Sequence, residues 1–232
     1  MQEIFDYLDA LIPDPKCELN FNKDYELLIA VVLSAQTTDK RVNEVTKVLF
    51  TKYPTLEDIN KADISSIKEI IKSIGTFNKK AVFVKEIAKT LLEKYNGVVP
   101  RTHEELEVIP GVGHKSANVV LGVLYNIPTF AVDTHVERVS KRLGLASAKD
   151  DVTKVEKKLM KKVPKDRWIR THHQFILFGR YYCKAVKPSC DNCKLKDMCR
   201  KDTLKRRWFS FYFIYNKFAL KTKNMLTNIC LF

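Results

Sequence analysis

The sequence predicts an all-α fold, and three observations predict it. Apolar residues recur at three- and four-residue intervals along nearly the whole chain, the period of a helix with one buried face. No stretch alternates apolar and polar residues as a half-buried strand does. Capping residues and Gly or Pro stops divide the apolar stripes into pieces of helical length.

Taken in order, Ile4, Phe5, Leu8 and Leu11 form a first stripe that Pro13 stops. Leu27 to Leu33 is apolar on every side, which predicts a central buried helix. A polar loop, Ser34 to Asp39, follows it. Val42, Val45 and Leu49 make the next stripe, ending at Tyr53-Pro54. Asp63 reads as an N-cap for Ile64, Ile67, Ile71 and Ile74, and Gly75 closes that helix. Val84, Ile87, Ala88, Leu91, Leu92 and Tyr95 give the clearest amphipathic helix, ended by Asn96-Gly97. Thr102, with Glu105 three residues on, is a capping-box pattern, so a short helix starts there and cannot continue through Pro110. Another helix begins at His114, with Ala117, Val120, Leu121 and Leu124 as its stripe. Asp133 is a good N-cap for Val136, Val139 and Leu143, with Gly144 as the stop. Val152, Val155, Leu159 and Val163 precede Pro164, and a last helix runs roughly from Trp168 to Tyr182. Ile74 to Ala81 loosely echoes Ile109 to Ala117, a likeness that chance explains equally well.

With 232 residues the chain is long enough for one large or two small domains. Its formal charge of +14 favours a polyanionic partner, nucleic acid or an anionic surface, over an acidic one. Half of that excess sits in a short tail: from Arg200 onward there are eight Lys/Arg and one acidic residue. The start, Met1 to Asp6, lacks a basic segment followed by an apolar run, and no stretch is long and apolar enough to span a membrane. An intracellular location, cytoplasm or nucleoid, is therefore expected, where thiols stay reduced and six cysteines point to a metal or cluster before disulfides.

The chemistry gathers between Leu106 and His135. Gly111 and Gly113, two of only seven glycines, permit positive φ and leave backbone N–H groups uncovered in a hairpin between two helices. Those groups and the following helix N-terminus make an anion site suited to a DNA phosphate, a contact that positions without reading sequence. Lys115 lies about 200° around the helix from Ala117, off the core stripe. An exposed lysine is its ordinary reading. At the positive end of a helix dipole and partly buried in a cleft, however, a lysine is favoured to present a neutral amine, a nucleophile able to form a Schiff base. Asp133 can cap its helix and still act in chemistry if one carboxylate oxygen faces the cleft.

Cys183, Cys190, Cys193 and Cys199 fall within seventeen residues at intervals of six, two and five. Spacing alone leaves zinc and an iron–sulfur cluster open: structural zinc sites usually bring two close pairs, and only Cys190 and Cys193 form one here. Lys184, Lys187, Lys194, Lys196 and Arg200 surround the four, as a phosphate-contacting loop would. Cys17 and Cys230 stand apart as non-ligands.

Together, Leu33 to Asp39, Ile109 to Asn118, Ala131 to His135 and the four-cysteine loop resemble the endonuclease III family of DNA glycosylases. The resemblance covers nearly all of residues 1–199. It implies two helical domains flanking a DNA-binding cleft: a six-helix barrel over residues 17–127, and a second domain made of residues 1–16 with 128–199. It implies a [4Fe-4S] cluster on Cys183, Cys190, Cys193 and Cys199, and monomeric action on double-stranded DNA containing oxidised pyrimidines or abasic sites. The damaged base would be flipped out. Lys115 would attack C1′ from the first domain, with Asp133 assisting from the second. The Schiff base would allow β-elimination and cutting 3′ to the lesion. Gly111, Val112 and Gly113 would hold the backbone, and Gln36 and His135 would fill the gap left by the flipped base. The adenine-excising and mismatch-thymine branches lack this lysine, so Lys115 selects the bifunctional branch.

Two departures accompany the resemblance. Thr76 stands where the family often carries a bulky apolar wedge, and it fills less space in a duplex. Beyond Cys199, 33 residues follow that hold eight of the 24 aromatic residues, including Trp208, Phe209, Phe211, Tyr212 and Phe213. Such a tail could stack on single strands, but a dispensable, poorly ordered extension over 200–232 is expected. The alternatives to a glycosylase/lyase are a non-catalytic hairpin-and-cluster DNA-binding protein, a mismatch-specific glycosylase, and an iron–sulfur electron carrier.

Overall fold

A computed structural model describes residues 1–200 and contains eleven α-helices among them, with no strand. The tail beyond Arg200, with its aromatic cluster and Cys230, lies outside the described residues. The helices are α1 (Gln2–Leu11), α2 (Asp24–Leu33), α3 (Asp39–Lys52), α4 (Leu56–Lys61), α5 (Ile64–Ile71), α6 (Phe77–Tyr95), α7 (His103–Glu107), α8 (His114–Tyr125), α9 (Thr134–Arg142), α10 (Val152–Lys162) and α11 (Trp168–Leu177). A π-helical segment, Phe178–Tyr182, continues α11 to the cysteine loop.

Apolar side chains collect in two clusters. One gathers α2 to α8 around α2, whose residues from Leu27 to Leu33 are all buried, as expected of a helix apolar on every side. The other joins Ile4, Phe5 and Leu8 of α1 to α9, α10 and α11, and includes Leu195 of the cysteine loop. Asp9 fastens the chain start to this second cluster: its carboxylate accepts from Arg167 at 2.8 and 2.9 Å, Arg170 at 2.9 Å and the Gln174 amide at 2.8 Å.

Local chemistry explains the boundaries. Thr38 caps α3 through its hydroxyl, so Asp39 begins that helix and does not end the loop. Thr55 and Asp58 form a capping box that starts α4, an element the apolar pattern does not reveal because it spans only six residues. The Asp63 carboxylate, expected to cap α5, instead accepts from the Ser65 hydroxyl, although Asp63 occupies the N-cap position. The helix α6 starts at Phe77, seven residues before its clear stripe, and ends at Asn96, whose φ of 51° closes it as a left-handed cap. Ile74 to Ala81 is thus also a helix–turn–helix junction, with Thr76 at φ 56°.

Candidate active site and cysteine loop

The hairpin joins α7 to α8. Thr102 caps α7 as expected, accepting from the Glu105 N–H at 3.3 Å. Gly111 adopts φ +89°, and a Cβ there would sit 2.7 Å from the Phe83 ring, so conformation and space both demand glycine. Gly113 departs from expectation: its φ is −112°, ordinary extended backbone. Its side has nothing within 4 Å, which leaves the N–H groups at the start of α8 open to a close approach. The Val112 side chain is buried in the first cluster and anchors the turn, so only its backbone faces outward.

Between the two apolar clusters lies a cavity of about 440 Å³. Lys115 reaches it from the first turn of α8 and Asp133 from the head of α9, and Gln36 and His135 line it too. The structure therefore brings together four predicted residues from three separate stretches. Lys115 is exposed, so the chain alone does not supply the burial expected for it. Asp133 Oδ1 accepts from the N–H groups of His135 and Val136, both at 2.8 Å. Both capping bonds use one oxygen, and Oδ2 makes no hydrogen bond among the described residues. Gln36 is exposed at φ 56°. His135 is half-buried, with Nδ1 3.1 Å from an Arg138 guanidinium nitrogen, and burial lowers its pKa.

Periodicity could not find several further residues that line this cavity or support its lining from behind. Lys80 of α6 is 3% exposed and donates to the carbonyls of Leu33 at 2.9 Å and Ala35 at 2.6 Å and to the Thr37 hydroxyl at 3.1 Å. Arg180 donates to Asp39 at 2.8 Å and also to Glu18, tying the π-helical segment after α11 to the start of α3 across the cavity. His172 and His173 stand side by side, ring centroids 4.8 Å apart. Burial holds His172 down at about 3 and His173 at about 4, so both are neutral at neutral pH and add no positive charge beside Lys115. His172 Nδ1 lies 2.7 Å from the Ala131 carbonyl and donates to it, while Nε2 is buried without a partner among the described residues.

The four cysteines line a separate cavity of about 110 Å³, closed by Leu143, Phe178 and the fully buried Leu195. Arg142, 9% exposed, donates to the carbonyls of Cys183 at 3.1 Å, Lys184 at 2.7 Å and Ala185 at 3.2 Å, and to Cys183 Sγ at 3.3 Å. Four thiols in an apolar shell, with a guanidinium against one sulfur, fit a thiolate-held cluster whose negative charge needs compensation. Lys184, Lys187, Lys194, Lys196 and Arg200 are all exposed around it, and Cys17 lies apart, packed against the first apolar cluster.

Residues 29–165 match the family model for HhH-GPD superfamily base excision DNA repair proteins. The chain is 50% identical over 196 residues to endonuclease III of Bacillus subtilis, covering 84% of this chain and 90% of that protein. The chain belongs to the endonuclease III family. It is a base excision repair DNA glycosylase/AP lyase. Endonuclease III of Escherichia coli is 45% identical over 197 residues, 85% of this chain and 93% of that protein. Among solved structures, a trapped endonuclease III–DNA covalent intermediate superposes with a TM-score of 0.83 at 49% identity, over 89% of this chain and 98% of that one. A thermostable thymine-DNA glycosylase has the same fold at 25% identity and a TM-score of 0.74, over 85% of this chain and 95% of that one.

Proposed function

We propose that this family member removes oxidised pyrimidines from duplex DNA and cuts the strand 3′ to the resulting abasic site, with Lys115 as nucleophile and Asp133 as its carboxylate partner. The observation that carries the proposal is the shared cavity: an exposed amine and a carboxylate with one uncommitted oxygen line it from opposite apolar clusters. The presence of both groups disfavours a non-catalytic DNA-binding reading, and Lys115 disfavours the mismatch-specific one.

The uncommitted oxygen of Asp133 takes a proton from the Lys115 ammonium. The amine then attacks C1′ of the flipped nucleotide as the C1′–N bond breaks and its electrons leave with the base. Ring opening converts the adduct to a Schiff base. Loss of a C2′ proton expels the 3′ phosphate. The duplex supplies the desolvation that Lys115 lacks in the free chain. Gln36 and His135 occupy the place of the extruded base, and the backbone at Gly111, Val112 and Gly113 grips a phosphate.

Cys183, Cys190, Cys193 and Cys199 would hold a [4Fe-4S] cluster that fixes the basic loop as a phosphate-contacting surface. The two apolar clusters support a division into residues 17–127 and residues 1–16 with 128–199, and the chain is read as acting as a monomer inside the cell. Among the described residues, no helix is long and apolar enough to cross a membrane.

Borohydride trapping on duplex DNA carrying an oxidised pyrimidine tests the assignment. A covalent adduct that vanishes in Lys115→Ala supports it. An adduct of equal yield in Lys115→Ala, or none with the intact chain, overturns it.

A further inference from the structure

A cluster of potential metal ligands lies on the hairpin outside the cavity. His103 and Glu107 occupy the two ends of α7, and His114 opens α8. His103 Nδ1 is 3.2 Å, and His114 Nδ1 3.1 Å, from the same oxygen, Glu107 Oε1. The three candidate ligand atoms all lie within 4.8 Å of one another. Ligands about 2.0–2.1 Å from a tetrahedral ion are separated by about 3.3 Å, so the two nitrogen–oxygen distances already match edges of such a tetrahedron.

The fourth residue strengthens the case. His114 Nε2 lies 3.0 Å from Glu156 Oε1, on α10, and the same oxygen accepts from the Asn118 amide at 3.2 Å. An acceptor on Nε2 places the imidazole proton there and turns the Nδ1 lone pair toward Glu107. That is the carboxylate–histidine arrangement that orients metal-bound imidazoles. Without a cation, the Nδ1 lone pair and a carboxylate oxygen would oppose each other at 3.1 Å, and only a second proton on His114 relieves this. A divalent ion relieves it differently: it replaces that proton on Nδ1, and His103 moves its own proton to Nε2.

We propose that His103, Glu107 and His114 bind a divalent transition-metal ion of the zinc class, with Glu156 as the outer carboxylate that orients His114. Two imidazoles and one carboxylate form a borderline-soft donor set, and the exposure of Glu107 and His114, with His103 part-buried, leaves an outward position for water. Bound there, the ion cross-links α7 to α8 across the hairpin, one residue before Lys115. It therefore acts on the turn proposed to hold a phosphate, not on the reacting atoms.

Isothermal titration of the full chain, cluster loaded, with zinc chloride tests this, with visible absorbance followed in parallel to exclude uptake by the cluster cysteines. One equivalent should bind without loss of absorbance, release a proton and raise the melting temperature. His103→Ala and Glu107→Gln should each weaken binding at least tenfold, and Glu156→Gln about tenfold. None of the three replaces a residue assigned to the cavity or the phosphate grip. No uptake at millimolar zinc would overturn the site, as would uptake of equal strength in His103→Ala.

Discussion

Lys80 of α6 donates to the carbonyl of Ala35 at 2.6 Å, and it makes two further bonds to the segment that carries Gln36. Helix α2 ends at Leu33, so the carbonyls of Leu33 and Ala35 lack partners from a continuing helix. Lys80 supplies those partners, holding the loop in the form that sets Gln36 at φ 56° beside the cavity. Lys80→Met, similar in length and without donors, should cost about 2–3 kcal/mol. That corresponds to a melting temperature lower by roughly 5–10 °C. Binding to lesion duplex should weaken more than binding to undamaged duplex, because Gln36 is proposed to act only once a base has been extruded. Equal weakening on both duplexes would show that Lys80 supports stability alone.

Asp133 allows its two roles to be separated. Asp133→Asn retains a side-chain oxygen to accept from His135 and Val136 and should leave stability nearly unchanged. Asp133→Ala loses the cap as well and should cost about 1 kcal/mol. Both should lower single-turnover base excision by about 10²–10⁴-fold, the range expected for a missing proton acceptor. Thermal melts and single-turnover rates of the two variants suffice. A normal rate in Asp133→Asn would reduce the residue to a helix cap.

The all-helical class and most helix positions were legible because stripes such as Val84 to Leu91 carry their period over several turns. Short α4 escaped, since six residues cannot show a period and its signal lies in Thr55 and Asp58. Lys115 and Asp133 were nameable as candidates from the hairpin and the N-cap, whereas Gln36 and His135, and the joining of three distant stretches into one site, came only through the resemblance. Lys80, Arg142, Arg180 and His172 were not. Each acts on backbone or carboxylates far away in sequence: Lys80 bonds a carbonyl 45 positions earlier, and Arg142 one 42 positions later. No local pattern records such a pairing, and a buried basic residue reads in sequence as a surface one.

Arg142 fixes the entrance to the cysteine loop through three carbonyls and one sulfur. A lysine keeps the charge but cannot reproduce the planar fork. Arg142→Lys should therefore destabilise the loop by about 2–4 kcal/mol. It should also open residues 183–199 to proteolysis and speed loss of visible absorbance under a chelator. Unchanged bleaching and proteolysis would mean that the sulfur shell holds itself without the guanidinium.

The buried histidine pair predicts acid sensitivity with a definite sign. His172 is held at about 3 and His173 at about 4, both below the ordinary value of 6.5 that the unfolded chain would show. Between those limits the unfolded chain binds more protons than the folded one, so stability rises with pH. Their contribution is fully present above about pH 6.5 and is lost progressively as pH falls, down to about 4 for His173 and about 3 for His172, with a slope of up to about 1.4 kcal/mol per unit for each group. Asp9 enters later. Burial raises its pKa, but the bonds from Arg167, Gln174 and Arg170 outweigh that and hold it at about 2 against an ordinary 3.8, so its contribution is lost below about pH 4. His172→Asn keeps an amide that can donate to the Ala131 carbonyl and removes the titrating ring. Denaturant unfolding from pH 7 to 4.5 should show a shallower decline in this variant, in a window where Asp9 is still ionised. An identical slope in the variant and the parent chain would mean that His172 is not the group whose protonation drives acid unfolding.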